Sequence, residues 1–180
     1  MALTGLSHLV SRSQEFAPVV DTVIRGAQET LVIGASGSLR IVGIAAIFQT
    51  LAQRGSKIPF LVVAPDQYHA EQIYLTLENI LTSKRVALFP AISTMPHESV
   101  IAERELHGMR MAVIGRLLAE ESLIVVASAE ALSRYLLPPQ VFRAYCTGLT
   151  VGETVELEQL MDRLVAGGYQ RVDLVEDPPV

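Results

Sequence analysis

Four short runs of apolar, mostly β-branched residues constrain the fold of this chain more than any other feature. They lie at residues 30–33, 60–64, 86–89 and 123–127. Strands that are buried on both faces of a parallel sheet have this length and this nearly continuous apolar character. Helical periodicity marks the segments between them, at residues 39–53, 66–81 and 100–120, and residues 14–24 predict a helix that begins near Pro18. The alternation predicts an α/β domain with a mostly parallel sheet.

The strand–helix alternation ends near residue 138. Leu137-Pro138-Pro139 interrupts it, and the residues beyond predict a strand at 149–151, a helix at 156–166 and a strand at 171–175. We place a domain boundary at residues 138–145, which gives a first domain of residues 1–145 and the start of a small α+β domain at 146–180. A segment this short rarely forms an independent core. We therefore expect uncovered apolar surface there, and a homodimer when the chain is isolated.

The charge balance and the cysteine content exclude several classes of function. The chain has 14 Lys and Arg against 19 Asp and Glu, a formal net charge of -5, whereas affinity for nucleic-acid backbones comes mainly from basic side chains. Broad capture of nucleic acid is therefore not expected. Cys146 is the only cysteine, so no disulfide forms within the chain. The absence of a secretory signal and of an apolar stretch of roughly 20 residues favours a cytoplasmic protein without membrane contact.

The chemically most suggestive segment is the glycine loop, defined here as residues 34–41 with the sequence GASGSLRI. It follows the first predicted strand and opens a predicted helix, which is the position of a phosphate-binding loop. Compared with G-x-x-x-x-G-K-[ST], only Gly34 fits, because Leu39, Arg40 and Ile41 replace the second glycine, the lysine and the hydroxyl residue. Ile41 offers no oxygen to magnesium. We therefore expect no catalytic residue and no ATP chemistry, only a degenerate nucleotide loop made of Gly34, Ser36, Gly37, Ser38 and Arg40.

Two other interpretations of the glycine loop stay open on the residues alone. Gly34-Ala35-Ser36-Gly37 resembles the start of the G-x-x-G-x-x-G fingerprint of short-chain dehydrogenases, which bind NAD(P). Arg40 stands at the third glycine, however, and no tyrosine of the chain is followed by a lysine four residues later. In the remaining interpretation the glycines only permit a tight turn between a strand and a helix.

Three further groups of side chains have both a functional and a structural interpretation. A metal site is conceivable at a cluster of four residues, His97, Glu98, Glu103 and His107. No H-E-x-x-H motif accompanies them, so we predict a solvated helix face and no metal. Ser36 and Ser38 lack a G-x-S-x-G motif and are interpreted as turn residues. The arginines at positions 104, 110 and 116 have acidic neighbours, which predicts salt bridges on a helix surface.

Six motifs follow one another in a defined order along the chain. They are GASGSLRIVGIAAIF, FLVVAPDQYHAEQIY, ALFPAISTMPHESV, ERELHGMRMAVIGRLL, IVVASAEALSRYLLPPQVF and LTVGETVELEQLMDRLVAGGYQRVDLVEDP. The last motif is the most specific, because a VGE turn, an acidic helix with spaced leucines and GYQRVDLV succeed one another in it. This order resembles the N-terminal region of the bacterial transcription-repair coupling factors, which is itself similar to the excinuclease component UvrB.

The resemblance implies a first domain of helicase-like (RecA-type) fold that has lost its nucleotide site, and a second small domain that binds the excinuclease component UvrA. The family's ATP-driven DNA translocase and its RNA-polymerase-binding domain lie farther along the full protein. ATP and magnesium are therefore expected only there, and no cofactor is expected in this chain. The implied function is to recruit UvrA to RNA polymerase stalled at DNA damage, with RNA polymerase and DNA contacted by other domains of the parent.

Two departures from the family pattern limit what the resemblance implies. UvrB has a tyrosine-rich hairpin that grips DNA, whereas no tyrosine lies between Tyr74 and Tyr135 here, so DNA clamping is not expected. The sequence ends at Val180, ahead of the segment where the family's partner-binding arginines are expected, so we expect an incomplete docking surface. Arg163 and Arg171 are the remaining candidates for partner binding.

Overall fold

The computed structural model describes residues 4–81, 83–92, 100–169 and 171–172. The chain divides into two compact units, Met1–Arg134 and Tyr135–Val180. Within the described residues, the first unit contains the sheet and the helices around it, and the second unit contains two helices.

A parallel sheet of three strands forms the centre of the first unit. The strands are β1 (Phe60–Ala64), β2 (Val86–Phe89) and β3 (Ile124–Ser128). Their order is β1-β3-β2, and Phe60 of β1 and Val86 of β2 are both in register with Ile124. All five residues of β3 are buried, as expected of a central strand covered on both faces. The three strand predictions that fall on these residues are confirmed, and so is the α/β class.

The part of the chain that the structure describes contains eight α-helices, six in the first unit and two in the second. They are α1 (Thr4–Ser11), α2 (Ala17–Ile24), α3 (Ser38–Gln53), α4 (Gln67–Ile80), α5 (Val100–Leu118), α6 (Ala129–Leu132), α7 (Pro139–Tyr145) and α8 (Leu157–Ala166), and a 3-10 turn (Ser83–Arg85) precedes β2. The predicted helices at 39–53, 66–81, 100–120 and 156–166 are confirmed, and α2 starts beside Pro18 as predicted. The sequence pattern does not predict α1. None of the described helices is both long enough and apolar enough to cross a membrane.

Apolar side chains cover the sheet on both faces. On one face, residues of α3 and α4 pack with alternate residues of β3; they include Phe48, Leu77, Ile80, Ile124 and Val126. On the other face, a second cluster joins α5 and α6 to the sheet; it includes Phe89, Val113, Leu123, Val125 and Ala127. Burial of each large apolar side chain contributes about 1.5–3 kcal/mol. The helices are therefore held to the sheet mainly by these two clusters.

Side-chain caps fix the points at which two helices begin. The carboxylate of Asp66 accepts a hydrogen bond of 2.9 Å from the backbone N–H of His69, at the start of α4. The hydroxyl of Ser128 accepts one of 3.1 Å from the N–H of Ala131, at the start of α6. Each cap satisfies an N–H group that has no partner within the helix. The chain thus turns from β1 and from β3 directly into a helix.

The strand predicted at residues 30–33 is not found, and this prediction is wrong. Leu31 and Ile33 are 82% and 85% exposed, and these residues pair with no described strand. An apolar, β-branched run forms a strand only where a neighbour completes its ladder of hydrogen bonds. The prediction at residues 149–151 fails for the same reason, since Val151 is fully exposed and lies in a turn. The strand predicted at 171–175 lies mostly outside the described residues.

Candidate functional site

The glycine loop enters α3 through two residues that require glycine. Gly34 has φ 87°, and Gly37, the N-cap of α3, has φ 55° with ψ -133°. Residues with a Cβ rarely adopt such conformations. The backbone N–H of Leu39 donates to the carbonyl oxygen of Ser36 at 3.2 Å. The geometry is that of a tight turn into a helix.

The glycine loop is exposed to solvent and does not begin at a strand. Ser36, Ser38 and Arg40 are exposed. Because residues 30–33 form no strand, the loop does not start from the carboxyl edge of the sheet, where phosphate-binding loops of α/β proteins begin. The N-terminus of α3 still carries unpaired N–H groups, but attraction between them and an anion is weak where water surrounds both.

An apolar pocket of ≈ 230 Å³ lies between the glycine loop, α2 and α3. Its walls include Phe16, Leu39 and Ile44, and Arg40 is the charged residue among those that line it. The ring of Phe16 lies directly against α3, since a Cβ added to Gly43 would be 2.7 Å from its Cζ atom. A triphosphate needs several hydrogen-bond donors and a metal ion. This pocket offers hydrocarbon surface instead, which suits an apolar group.

Arg110 on α5 has a structural position that the sequence pattern does not predict. The side chain is 2% exposed, and its Nη1 donates to the carbonyl oxygens of Pro90 at 2.7 Å and Ala131 at 3.1 Å. Burial lowers the pKa of Arg110, and the nearby charge of Arg134 lowers it further. Among the described residues no carboxylate pairs with it. The predicted salt bridge at position 110 is therefore wrong, because carbonyl oxygens satisfy this guanidinium.

Arg116, two turns farther along α5, does form the predicted salt bridge. Its Nε lies 2.7 Å from a carboxylate oxygen of Glu121, and its Nη2 donates to the carbonyl oxygen of Lys84. Both arginines lie on α5, but Arg110 is buried against carbonyl oxygens, whereas Arg116 is partly exposed and pairs with a carboxylate. Spacing along α5 does not separate them, since each lies three residues from the buried Val113. The difference comes from the carbonyl oxygens that other segments bring to Arg110.

Comparison with known proteins identifies the relatives of this fold. The chain is 32% identical over 176 residues to the transcription-repair-coupling factor of Bacillus subtilis, a match that covers 98% of this chain. It is 31% identical over 169 residues to the transcription-repair-coupling factor of Myxococcus xanthus, with 90% of this chain covered. The chain is a relative of the transcription-repair coupling factors. It spans 14% of the length of each of these two proteins.

A second class of repair protein is also similar to this coupling-factor relative. UvrABC system protein B of Ureaplasma parvum is 25% identical over 168 residues, covering 86% of this chain and 24% of that protein. No family model matches the chain. The resemblance predicted from the six motifs is thereby confirmed, and the NAD(P)-binding alternative is not favoured.

The remaining candidates of the coupling-factor relative lie apart from the glycine loop in the sequence. Arg163, on α8, and Arg171 are both exposed and both belong to the second unit. Their role in partner binding stays a prediction. His97 and Glu98 lie outside the described residues, Glu103 is described by its backbone alone, and His107 is exposed on α5. Where the structure describes side chains, no three His, Cys, Asp or Glu residues are grouped as a metal site requires.

Proposed function

We propose that this chain is a non-catalytic part of a transcription-repair coupling factor, and that it recruits the excinuclease component UvrA to RNA polymerase stalled at DNA damage. The names of its relatives support a role in this repair process, since two are coupling factors and a third is UvrABC system protein B. The longest match covers 98% of the chain. Both units therefore take part in the similarity.

The apolar pocket beside the glycine loop is the main observation that supports a non-catalytic role. Leu39 lines this pocket, and Ile41, at the position of the metal-binding hydroxyl, packs partly buried against the core. Neither side chain offers an oxygen or nitrogen atom to a nucleotide or to magnesium. The proposal is that the loop is a degenerate nucleotide loop, and that ATP and magnesium act in other domains of the parent protein.

We propose that the second unit contains the surface that binds UvrA. α8 contains no buried residue, and its Leu157 and Val165 are 67% and 62% exposed. Arg163 stands on the same helix and is exposed. Protein–protein interfaces combine an apolar centre with arginine side chains in this way. We therefore propose that α8 and Arg163 contact UvrA.

Binding to purified UvrA tests the recruitment half. The chain and the full-length coupling factor are each immobilised, and UvrA is titrated over them. We expect Arg163→Glu to weaken binding about tenfold or more, as loss of a central interface arginine does. Arg25→Glu, an equal change of charge at an exposed site of the first unit, should leave the affinity unchanged. Absence of binding by both immobilised proteins, or equal weakening by both variants, would contradict the proposal.

A further inference from the structure

An open groove with several polar side chains lies on the first unit, at the end of α3 that is remote from the glycine loop. Two adjoining pockets form it, of ≈ 790 Å³ and ≈ 380 Å³, and His8 and Gln53 line both of them. The larger pocket also reaches Arg85, in the 3-10 turn ahead of β2. We name this surface the basic groove.

The basic groove has a charge opposite to that of the whole chain. The chain carries a net charge of -5, whereas three arginines, Arg12, Arg54 and Arg85, line the two pockets together with Asp21. Within the described part of the chain none of these arginines forms a salt bridge. Guanidinium groups that no carboxylate engages keep their donors available to a bound anion.

A hydrogen bond between α1 and α3 adds an oriented donor to the larger pocket. The hydroxyl of Ser7 is completely buried and donates to Oε1 of Gln49 at 2.6 Å. Because this bond occupies the amide oxygen, the amide nitrogen is the end that Gln49 can offer to a ligand. Among the described residues, the larger pocket is therefore lined by two amides, an imidazole and a guanidinium, and by no carboxylate.

Of the three arginines, Arg85 is the one whose substitution tests ligand binding best. Arg12 follows the last residue of α1 and Arg54 is the C-cap of α3, so both also offset the partial negative charge at the end of an α-helix. Arg85 ends the three-residue 3-10 turn between α4 and β2, and a turn this short has few aligned peptide dipoles for a cation to offset. Helix stabilisation does not account for its position in the pocket, so ligand binding is tested best on this residue.

We propose that the basic groove binds a phosphate group, with Arg85, His8 and Gln49 as donors in the larger pocket. The larger pocket is an open depression and not an enclosed cavity, so a ligand larger than a single phosphate can lie in it. The ligand is therefore a phosphate carried on a larger body, either a free nucleotide or a nucleic-acid backbone. Leu9, which is 72% exposed, offers an apolar surface to that body. The inference is independent of the proposed function, since no residue of the glycine loop or of the second unit contributes.

Calorimetric titration of the 180-residue chain with sodium pyrophosphate, at low salt and without metal ions, tests this site. We expect saturable binding that is at least about tenfold weaker in Arg85→Gln, because a charge-assisted hydrogen bond is lost. Arg40→Gln is the matched control at the glycine loop and should change the affinity less than about twofold. Both side chains are exposed, so both variants should fold, which circular dichroism verifies.

Two further ligands distinguish the source of the phosphate. Tighter binding of metal-free ADP than of a short single-stranded oligonucleotide assigns the groove to free nucleotides, and the reverse order assigns it to a nucleic-acid backbone. Either result supports the proposal if Arg85→Gln weakens the binding. The proposal is overturned if pyrophosphate shows no saturable binding, or if Arg85→Gln and Arg40→Gln weaken it equally.

Discussion

The Cζ atom of Arg110 lies 4.0 Å from the centroid of the Phe89 ring, so a buried cation of α5 rests on the last residue of β2. The same guanidinium holds the carbonyl oxygens of Pro90 and Ala131. It thereby connects α5 to the segment after β2 and to α6. A buried charged side chain thus connects three elements of the first unit.

Loss of this side chain should destabilise the first unit. We expect Arg110→Ala to lower the free energy of unfolding by about 2–4 kcal/mol, because two carbonyl oxygens lose their donor and the Phe89 ring loses its cation. Urea denaturation followed by circular dichroism measures the effect. Arg104→Ala, at an exposed position of the same helix, should cost less than about 0.5 kcal/mol. Equal losses in the two variants would contradict this role of Arg110.

The cap at Asp66 should make stability depend on pH in the acid range. The backbone N–H of His69, and then its imidazole, lower the pKa of Asp66 below the ordinary value of 3.8. A lowered folded pKa means that the ionised cap stabilises the fold above that ordinary value, and that this contribution is lost as the pH falls through the folded pKa.

Asp66→Asn is the variant that tests this pH dependence. Asn still caps a helix but does not ionise. Between about pH 5 and about pH 2.5 its urea midpoint should therefore fall less steeply than that of the unsubstituted chain. If the urea midpoints of the two proteins fall equally steeply with pH, ionisation of Asp66 contributes nothing to stability.

Because Phe16 packs closely on α3, a single methyl group added at Gly43 should be unfavourable for stability. A Cβ at Gly43 would lie 2.7 Å from the Phe16 ring, whereas one at Gly108 of α5 would meet nothing within 4 Å. Gly→Ala in an open helix position stabilises by about 0.5–1 kcal/mol. We expect Gly108→Ala to show this gain and Gly43→Ala to be less stable than it by about 1–2 kcal/mol.

A second substitution at position 16 shows whether the ring causes the difference. Phe16→Leu in the Gly43→Ala background should recover part of the lost stability, because the shorter side chain leaves room for the new methyl group. If Gly43→Ala and Gly108→Ala are equally stable, Phe16 does not pack as the structure indicates.

The sequence predicts those parts of the fold that depend on local pattern. β3 is identifiable because burial on both faces requires every residue to be apolar or small, and α4 because Asp66 marks its start. Residues 30–33 have the same apolar character as β3. A strand also needs a neighbouring strand to pair with, and which strands become neighbours depends on the topology of the whole sheet. The position of Arg110 is hidden for the same reason, since its carbonyl partners lie 20 and 21 residues away. In the candidate site, the sequence shows that Leu39, Arg40 and Ile41 depart from the phosphate-loop motif, but it does not predict the apolar pocket beside them.

The glycine loop should hold no nucleotide, and calorimetric titration with magnesium-ATP measures whether it does. The chain and Arg40→Ala are titrated in parallel, together with Arg85→Gln to identify any binding at the basic groove. We predict no binding that depends on Arg40, so that the chain and Arg40→Ala give the same titration and any residual affinity is lost in Arg85→Gln. Micromolar, magnesium-dependent binding that disappears in Arg40→Ala and persists in Arg85→Gln would show instead that the glycine loop is a working nucleotide site.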